Sequence, residues 1–263
     1  MAQANCPHCG GTGWKTVEDG GGVRTAVRCD CALPDRAAQL FDRARIPPRY
    51  LDRDFENFGT DVYDGEPEAP AWNRSLAQAK LVLQAFARDF PTGSESGLLL
   101  MGPCGAGKTH LAVAALKEIL QRGHRGLFYD YRELLKEIQA SYNPESQATE
   151  MAILEPVLTA ELLLLDDLGA SKPSAWALDT VGHILNSRYN EKRVTLMTTN
   201  FPDPRGPASE PIRAPGGEAL PRLDECLADR VGQRIRSRLY EMCRTVSIEA
   251  GDFRQRIQHA SHR

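Results

Sequence analysis

The sequence predicts an α/β protein: a three-layer αβα domain behind a small cysteine-rich module. Three observations carry that expectation. From Gly97 onward, short apolar runs alternate with amphipathic stretches of helical length. The run Gly102-Pro103-Cys104-Gly105-Ala106-Gly107-Lys108-Thr109 lies between the first of those runs and the next helical stretch. Four of the seven cysteines fall within the first 31 residues.

The chain has 263 residues, enough for one sizeable core and a small appendage. Hydrophobic residues at 41% and charged residues at 25% exclude wholesale disorder. A formal net charge of −3 excludes a histone-like basic coat but leaves room for a local basic patch. Apolar runs such as Leu162 to Leu165 are too short to cross a bilayer, so no membrane partner is expected. The start MAQANCPHCGG has neither a basic region nor an apolar leader, and a cytoplasmic location is expected.

Three segments follow from composition: a module over 1–35, a connector over 36–74 and the αβα domain over 75–263. The connector holds the basic-aromatic run FDRARIPPRYLDRDFENF, then an acidic loop from Gly59 to Pro70. A helix is expected from Ser75, which can cap it, because Leu76, Ala79, Leu83, Phe86 and Phe90 recur at helical spacing. Leu98 to Met101 is a strand, uniformly apolar as in a parallel sheet covered on both faces. His110 to Arg122 is a helix stopped by Gly123, and Leu127 to Tyr129 is a second strand. A helical, acidic region runs to about Ala160, followed by a strand over Leu162 to Asp166, a helix over Ser174 to Asn190 and a strand over Val194 to Thr198. Pro202 to Pro221 is a Pro/Gly-rich loop. The tail from Leu227 carries eight arginines against four acidic residues and is expected to form a helix, a strand near Thr245 to Ile248 and a last short helix.

Residues 102–109 match G-x4-G-K-[ST] without a gap, after a strand and at the start of a helix, which is the context that gives this motif its meaning. Its glycines let backbone N–H groups turn inward around phosphates, aided by the partial positive charge of the helix N-terminus. Gly102 to Thr109 and the following His110 are therefore the expected ATP contacts. Lys108 neutralises the β- and γ-phosphates, and Thr109 binds Mg²⁺. A packing or backbone role is expected for Cys104. Leu162-Leu163-Leu164-Leu165-Asp166-Asp167 supplies the second half: a buried strand ending in carboxylates at the sheet edge where ligands bind. Asp166 is expected to hold Mg²⁺ and Asp167 to polarise the attacking water.

In the module, Cys6-x2-Cys9, nineteen intervening residues and Cys29-x-Cys31 offer four thiolates for tetrahedral Zn²⁺, with Gly10, Gly11 and Gly13 suited to a knuckle turn. His8 is expected to point outward. So few apolar residues imply a module that needs its metal to fold. Cys226 and Cys243 are expected as small packing residues.

The strand ending in Asn200 is similar to the sensor 1 strand of AAA+ ATPases, and Leu162 to Phe201 resembles the bacterial replicative helicase loaders of the DnaC/DnaI type and their relatives, the IstB transposition helpers. The resemblance covers the chain from about Arg45 onward. It implies a P-loop NTPase of the AAA+ class in which Asn200 contacts the attacking water or γ-phosphate. It also implies that Arg234, with Arg230 as second choice, is the finger reaching a neighbour's ATP, and that Arg254 is a sensor 2-like contact. Arg236, Arg238 and Arg256 are expected to be surface charges. Typical AAA+ enzymes carry Glu where this chain has Asp167, which suggests slow turnover suited to a switch. The space after Arg234 implies a reduced or absent helical lid.

The resemblance implies a loader that grips a hexameric replicative helicase through its zinc module and connector, self-associates through ATP-bridged interfaces and contacts single-stranded DNA. Candidate DNA contacts are Tyr131, Arg132, Lys136 and Tyr142. An IstB-like helper of a transposase, a nucleotide- and zinc-binding adaptor without useful turnover, and a small-molecule kinase are the alternatives. DnaI-like loaders carry an N-terminal zinc domain and IstB helpers generally lack one, which favours the loader.

Overall fold

The computed structural model describes residues 5–18, 24–29, 31, 33–61, 65, 67–91, 97–143, 145, 149–203 and 225–254. The expected loop from residue 204 onward, Arg256 and the last short helix beyond its first residues, Phe253 and Arg254, lie outside the described residues.

Strands β1 (Trp14–Glu18) and β2 (Arg24–Arg28) form an antiparallel hairpin with Trp14 opposite Arg28. The first cysteine pair precedes β1 and the second follows β2, so the ladder's register brings the two pairs together. Helix α1 (Leu33–Arg43) comes next, then a 3-10 turn over Pro48–Tyr50 and α2 (Ala69–Asp89).

The main sheet is built from β3 (Gly97–Met101), β4 (Gly126–Asp130), β5 (Leu162–Asp166), β6 (Val194–Thr199) and β7 (Cys243–Ser247), in the order β4-β5-β6-β3-β7. Every neighbouring pair is parallel. The connecting helices are α3 (Lys108–Gln121), α4 (Tyr131–Ala140), α5 (Glu150–Thr159), α6 (Ala175–Asn190) and α7 (Leu227–Met242). Alternate residues of one strand face opposite layers. Leu162 and Leu164 join a core with α2 and α3, whereas Leu163 and Leu165 join one with α4, α5, α6 and α7. With both faces covered, β3, β5 and β6 are buried throughout, which accounts for the apolar runs of β3 and β5, while the buried threonines of β6 find hydrogen-bond partners, among them Arg188 and Asp166. The expected three-layer architecture is the one observed.

One expectation about the first half needs correction. Helix α2 starts at Ala69, not Ser75, because Pro70 suits the first helical turn, where a missing N–H costs nothing. Ser75 does not cap the helix; its hydroxyl accepts from the Glu249 amide at 2.8 Å. The connector is also more than a spacer. Ala44, Ile46, Phe55 and Phe58 are buried in the α3-side core, and the Phe128 amide donates to the Ala44 carbonyl at 2.7 Å along the outer edge of β4. Cys226 and Cys243 are buried as expected, and burial pushes the Cys243 thiol up to about 12.

Candidate nucleotide-binding site

The phosphate loop runs from the end of β3 into α3. Gly107, the N-cap of α3, has φ 88°, and a Cβ there would stand 2.6 Å from the Phe58 ring, so both its turn and its close neighbour require glycine. Lys108 is buried, and its ammonium donates to the Gly102 and Pro103 carbonyls at 2.9 and 2.7 Å and to Asn200 Oδ1 at 2.6 Å. Burial lowers its pKa, opposed by Cys104, Asp167 and Asp166.

The Thr109 hydroxyl donates to Asp166 Oδ1 at 2.9 Å, and the Thr198 hydroxyl donates to the same oxygen at 2.6 Å. Burial raises the pKa of Asp166, and the Thr198 and Thr109 hydrogen bonds pull against that rise. A hydroxyl and a carboxylate this close form a hard-oxygen pair of the kind Mg²⁺ takes beside substrate phosphates. Asp167 sits at φ 58° and receives the Asn200 amide at 2.5 Å on Oδ1. Its pKa is raised by burial, against the attraction of Arg132. Asn200 thus joins the loop lysine to the strand-end acid.

These groups line one cavity of about 830 Å³, within the range of small-ligand sites. Cys104 to His110, Asp166, Asp167, Asn200 and Arg254 all border it, whereas Gly102 and Pro103, expected at the same ligand, offer their carbonyls to Lys108 instead. Cys104 is exposed there, so of the packing or backbone role expected for it the packing half does not hold. His110 lies edge-on to Phe58, and its Nε2 is 2.9 Å from both the Asp54 carbonyl and Asn57 Oδ1, which are acceptors. Burial lowers its pKa, leaving the ring neutral with Nε2 protonated.

Sequence reasoning missed the connector's share of this cavity. Arg49, Tyr50, Arg53, Asn57 and Phe58 line it, some fifty residues upstream of the loop. They are held there by buried Lys117 of α3, which donates to the Leu51 carbonyl at 2.6 Å and pairs with Asp54 at 2.5 Å. The excess of Arg and aromatic residues in FDRARIPPRY was the available signal. Arg132, expected at DNA, lines the cavity instead. With Arg49, Arg53, Lys108 and Arg254 it sets five cations against Asp130, Asp166 and Asp167, a balance suited to a polyanion.

The other arginines separate cleanly. Arg234 is solvent-exposed on α7 and does not border this cavity. Arg230, the second choice for a finger, is buried and bound to the carbonyls of Gly169, Ala170 and Ser171, so it is not free to reach a neighbour. Arg238 pairs with Glu241 at the surface, as expected, but Arg236 does not keep the surface role expected of it: its Nε donates to both oxygens of the buried Asp203 carboxylate at 2.9 and 2.8 Å. Tyr131 is a core residue at 1% exposure and cannot stack on a base. Lys136 and Tyr142 are exposed, the latter edge-on to Trp176.

At the N-terminus the Sγ atoms of Cys6, Cys9, Cys29 and Cys31 all lie within 4.8 Å of one another. Cys6–Cys29 and Cys9–Cys31 are 3.6 and 3.4 Å apart, near the roughly 3.8 Å edge of a tetrahedral Zn–thiolate site. Burial works against ionisation of Cys9, but hydrogen bonds led by the Gly13 amide and Cys31 outweigh it and lower the thiol to about 6. Gly10, Gly11 and Gly13 take positive φ in the knuckle, and His8 is exposed, away from the thiols. The four residues therefore fit zinc.

A phosphate cradle whose lysine, strand-end acids and asparagine converge on one edge of a parallel sheet defines a P-loop nucleotide-binding protein of the AAA+ class. Residues 72–204, just over half of the chain, match the family of IstB-like ATP binding proteins, and the protein belongs to that family. The replicative helicase loader DnaC of Escherichia coli (strain K12) is 26% identical over 162 residues, covering 62% of this chain and 61% of the relative. The replicative helicase loader DnaI of Bacillus subtilis (strain 168) is 31% identical over 111 residues, 42% of this chain and 35% of that one. The chain thus spans about three fifths of the DnaC sequence and a third of DnaI. A crystal structure of the DnaC helicase loader superposes with a TM-score of 0.57 at 29% identity, covering 77% of this chain and 99% of that one. Among the described residues, no helix is long and apolar enough to cross a membrane.

Proposed function

We propose that the protein is an ATP-dependent loader of a hexameric replicative helicase onto single-stranded DNA. The observation that carries this is the Lys108–Asn200–Asp167 chain of hydrogen bonds beside the Thr109–Asp166 pair, in a family whose similar members include proteins named as replicative helicase loaders.

Loop N–H groups and Lys108 hold the phosphates of ATP, and the connector covers the rest of the cavity. Mg²⁺ held by Thr109 and Asp166 would neutralise charge on the transferred phosphate. Asp167, raised in pKa and fixed by Asn200, orients the attacking water and accepts its proton. Arg234, exposed on α7, reaches the cavity of a neighbouring protomer and stabilises charge developing there. Arg254 contacts the phosphates in its own protomer. ATP switches the assembly only through its different affinity for the two states. The four-thiol module, clamped by Zn²⁺, and exposed parts of the connector grip the helicase.

The test is a pull-down with a purified hexameric helicase, alongside ATP hydrolysis with and without single-stranded DNA. Helicase capture that depends on ATP, hydrolysis lost in Asp167→Asn and nucleotide binding lost in Lys108→Ala are expected. The IstB-like family match favours a second client, so a transposase is the parallel bait; capture of the transposase alone would replace the loader reading. Equal background hydrolysis in wild type and Asp167→Asn would reduce the protein to an adaptor.

A further inference from the structure

Arg230 touches both loops that carry the reacting groups. Its Nε donates to the Gly169 carbonyl at 2.8 Å, and its Nη2 donates to the Ser171 and Ala170 carbonyls at 2.9 and 3.2 Å. Those residues follow Asp167 in the turn after β5. The guanidinium also lies 4.7 Å from the centre of the Phe201 ring, and Phe201 directly follows Asn200. Its remaining partner is the Glu225 carboxylate at 2.8 Å. The turn is tightly fitted: Gly169 has φ 86°, and a Cβ there would lie 3.0 Å from Arg230 Cβ and 3.3 Å from the Phe201 ring. The two loops are also tied to each other, since the Leu168 amide donates to the Thr198 carbonyl at 2.8 Å and the Thr199 hydroxyl donates to the Leu168 carbonyl at 2.9 Å. A shift of Asp167 or Asn200 must therefore move the guanidinium that bridges them.

Helix α7 carries that movement outward. It breaks at Gly232, φ 79° and ψ 156°, two residues beyond Arg230 and two before Arg234. Beyond the break, Ile235, Leu239 and Met242 are packed into the core. Before the break, Leu227 and Val231 are packed into the same core, so the turn holding Arg230 and the turn holding Arg234 meet at this joint against one layer, and a displacement of the first is passed to the second.

We propose that Arg230 is a positioning residue that couples the Asp167 and Asn200 loops of its own protomer to the placement of Arg234, so that one protomer's nucleotide state sets the finger it offers to the next. The inference rests on the proposed shared site, in which Arg234 acts in trans.

The experiment mixes protomers. Arg234→Ala with Asp167→Asn is the control: intact cavities come from the first and intact fingers from the second, and hydrolysis returns. No rescue there overturns the shared site, and this proposal with it. Arg230→Lys/Asp167→Asn with Arg234→Ala then asks whether an intact Arg234 works without the bridge, and rescue about tenfold weaker than in the control is expected. Arg230→Lys/Arg234→Ala with Asp167→Asn asks about the cavity; a lower kcat is expected, with nucleotide Kd within about threefold of wild type. Rescue equal to the control in either mixture overturns the coupling. If Arg230→Lys melts below the assay temperature, Glu225→Gln decides. It loosens Arg230 from an exposed carboxylate without opening a cavity, and its first mixture should fall about threefold below the control. Unchanged rescue by Glu225→Gln would then overturn the proposal.

Discussion

Asn200 Nδ2 lies 2.5 Å from Asp167 Oδ1, while Asn200 Oδ1 accepts from Lys108 at 2.6 Å. One amide thus orients the acid and the loop lysine together, and its two ends cannot be exchanged without pointing a donor at the lysine. Asn200→Ala is expected to lower kcat by about 10²-fold, with nucleotide affinity little changed, as for a group that acts chiefly on the transition state. Single-turnover hydrolysis and nucleotide titration separate the two effects; a large loss of affinity with unchanged kcat would refute this role.

Asp166 should be a liability for stability. Burial raises its pKa above the ordinary value of 3.8, so the folded protein prefers the neutral group. The contribution of this one group to stability is then fully present below 3.8 and is lost as pH rises through the raised value, leaving its full cost in place above it. Asp166→Asn removes that cost, and its Tm at pH 7 should rise by about 2–4 °C for each kcal/mol relieved. The gain should shrink as pH falls, and Mg²⁺-dependent nucleotide binding should weaken. An unchanged Tm at pH 7 would remove the assigned cost.

Arg188 is buried at 0% exposure, and burial lowers its pKa to about 9, so it stays charged at pH 7. It donates to the carbonyls of Val157, Ala160 and Val194 and to the Thr195 hydroxyl, tying α5, α6 and β6 together. Arg188→Ala strands those acceptors and should cost about 3 kcal/mol or more. Urea unfolding is the measurement, and a cost below about 1 kcal/mol would mean that water replaces the guanidinium freely.

Metal analysis should find about one Zn²⁺ per chain, lost in Cys6→Ser and in Cys29→Ser. Chelation should collapse the hairpin, reported by Trp14 fluorescence, while the αβα domain keeps its own melting transition. A folded, metal-free hairpin would rule out a structural zinc.

The features legible in the sequence were contiguous ones. The phosphate loop and the Asp166-Asp167 strand end each occupy a few neighbouring residues, and local backbone geometry dictates their chemistry; each cysteine pair is likewise local, and the hairpin register joins the two pairs. Asn200 needed a family resemblance as well, because a polar strand end is ambiguous alone. Arg230 carried a subtler signal: it lies three residues after buried Leu227 and beside buried Val231, on the apolar face of α7.

Element order, layer count and the phosphate cradle were encoded locally, through strand apolarity, helical periodicity and glycine's freedom at positive φ. Folding alone revealed that the connector forms a wall of the cavity, that Tyr131 faces the core, that Arg230 faces inward and that Arg234 faces out. The reason is energetic. A charged side chain can be buried only where distant carbonyls and carboxylates converge to replace its water. Those partners lie about sixty residues away for Arg230, at Gly169 to Ser171, and more than sixty for Lys117, at Leu51 and Asp54.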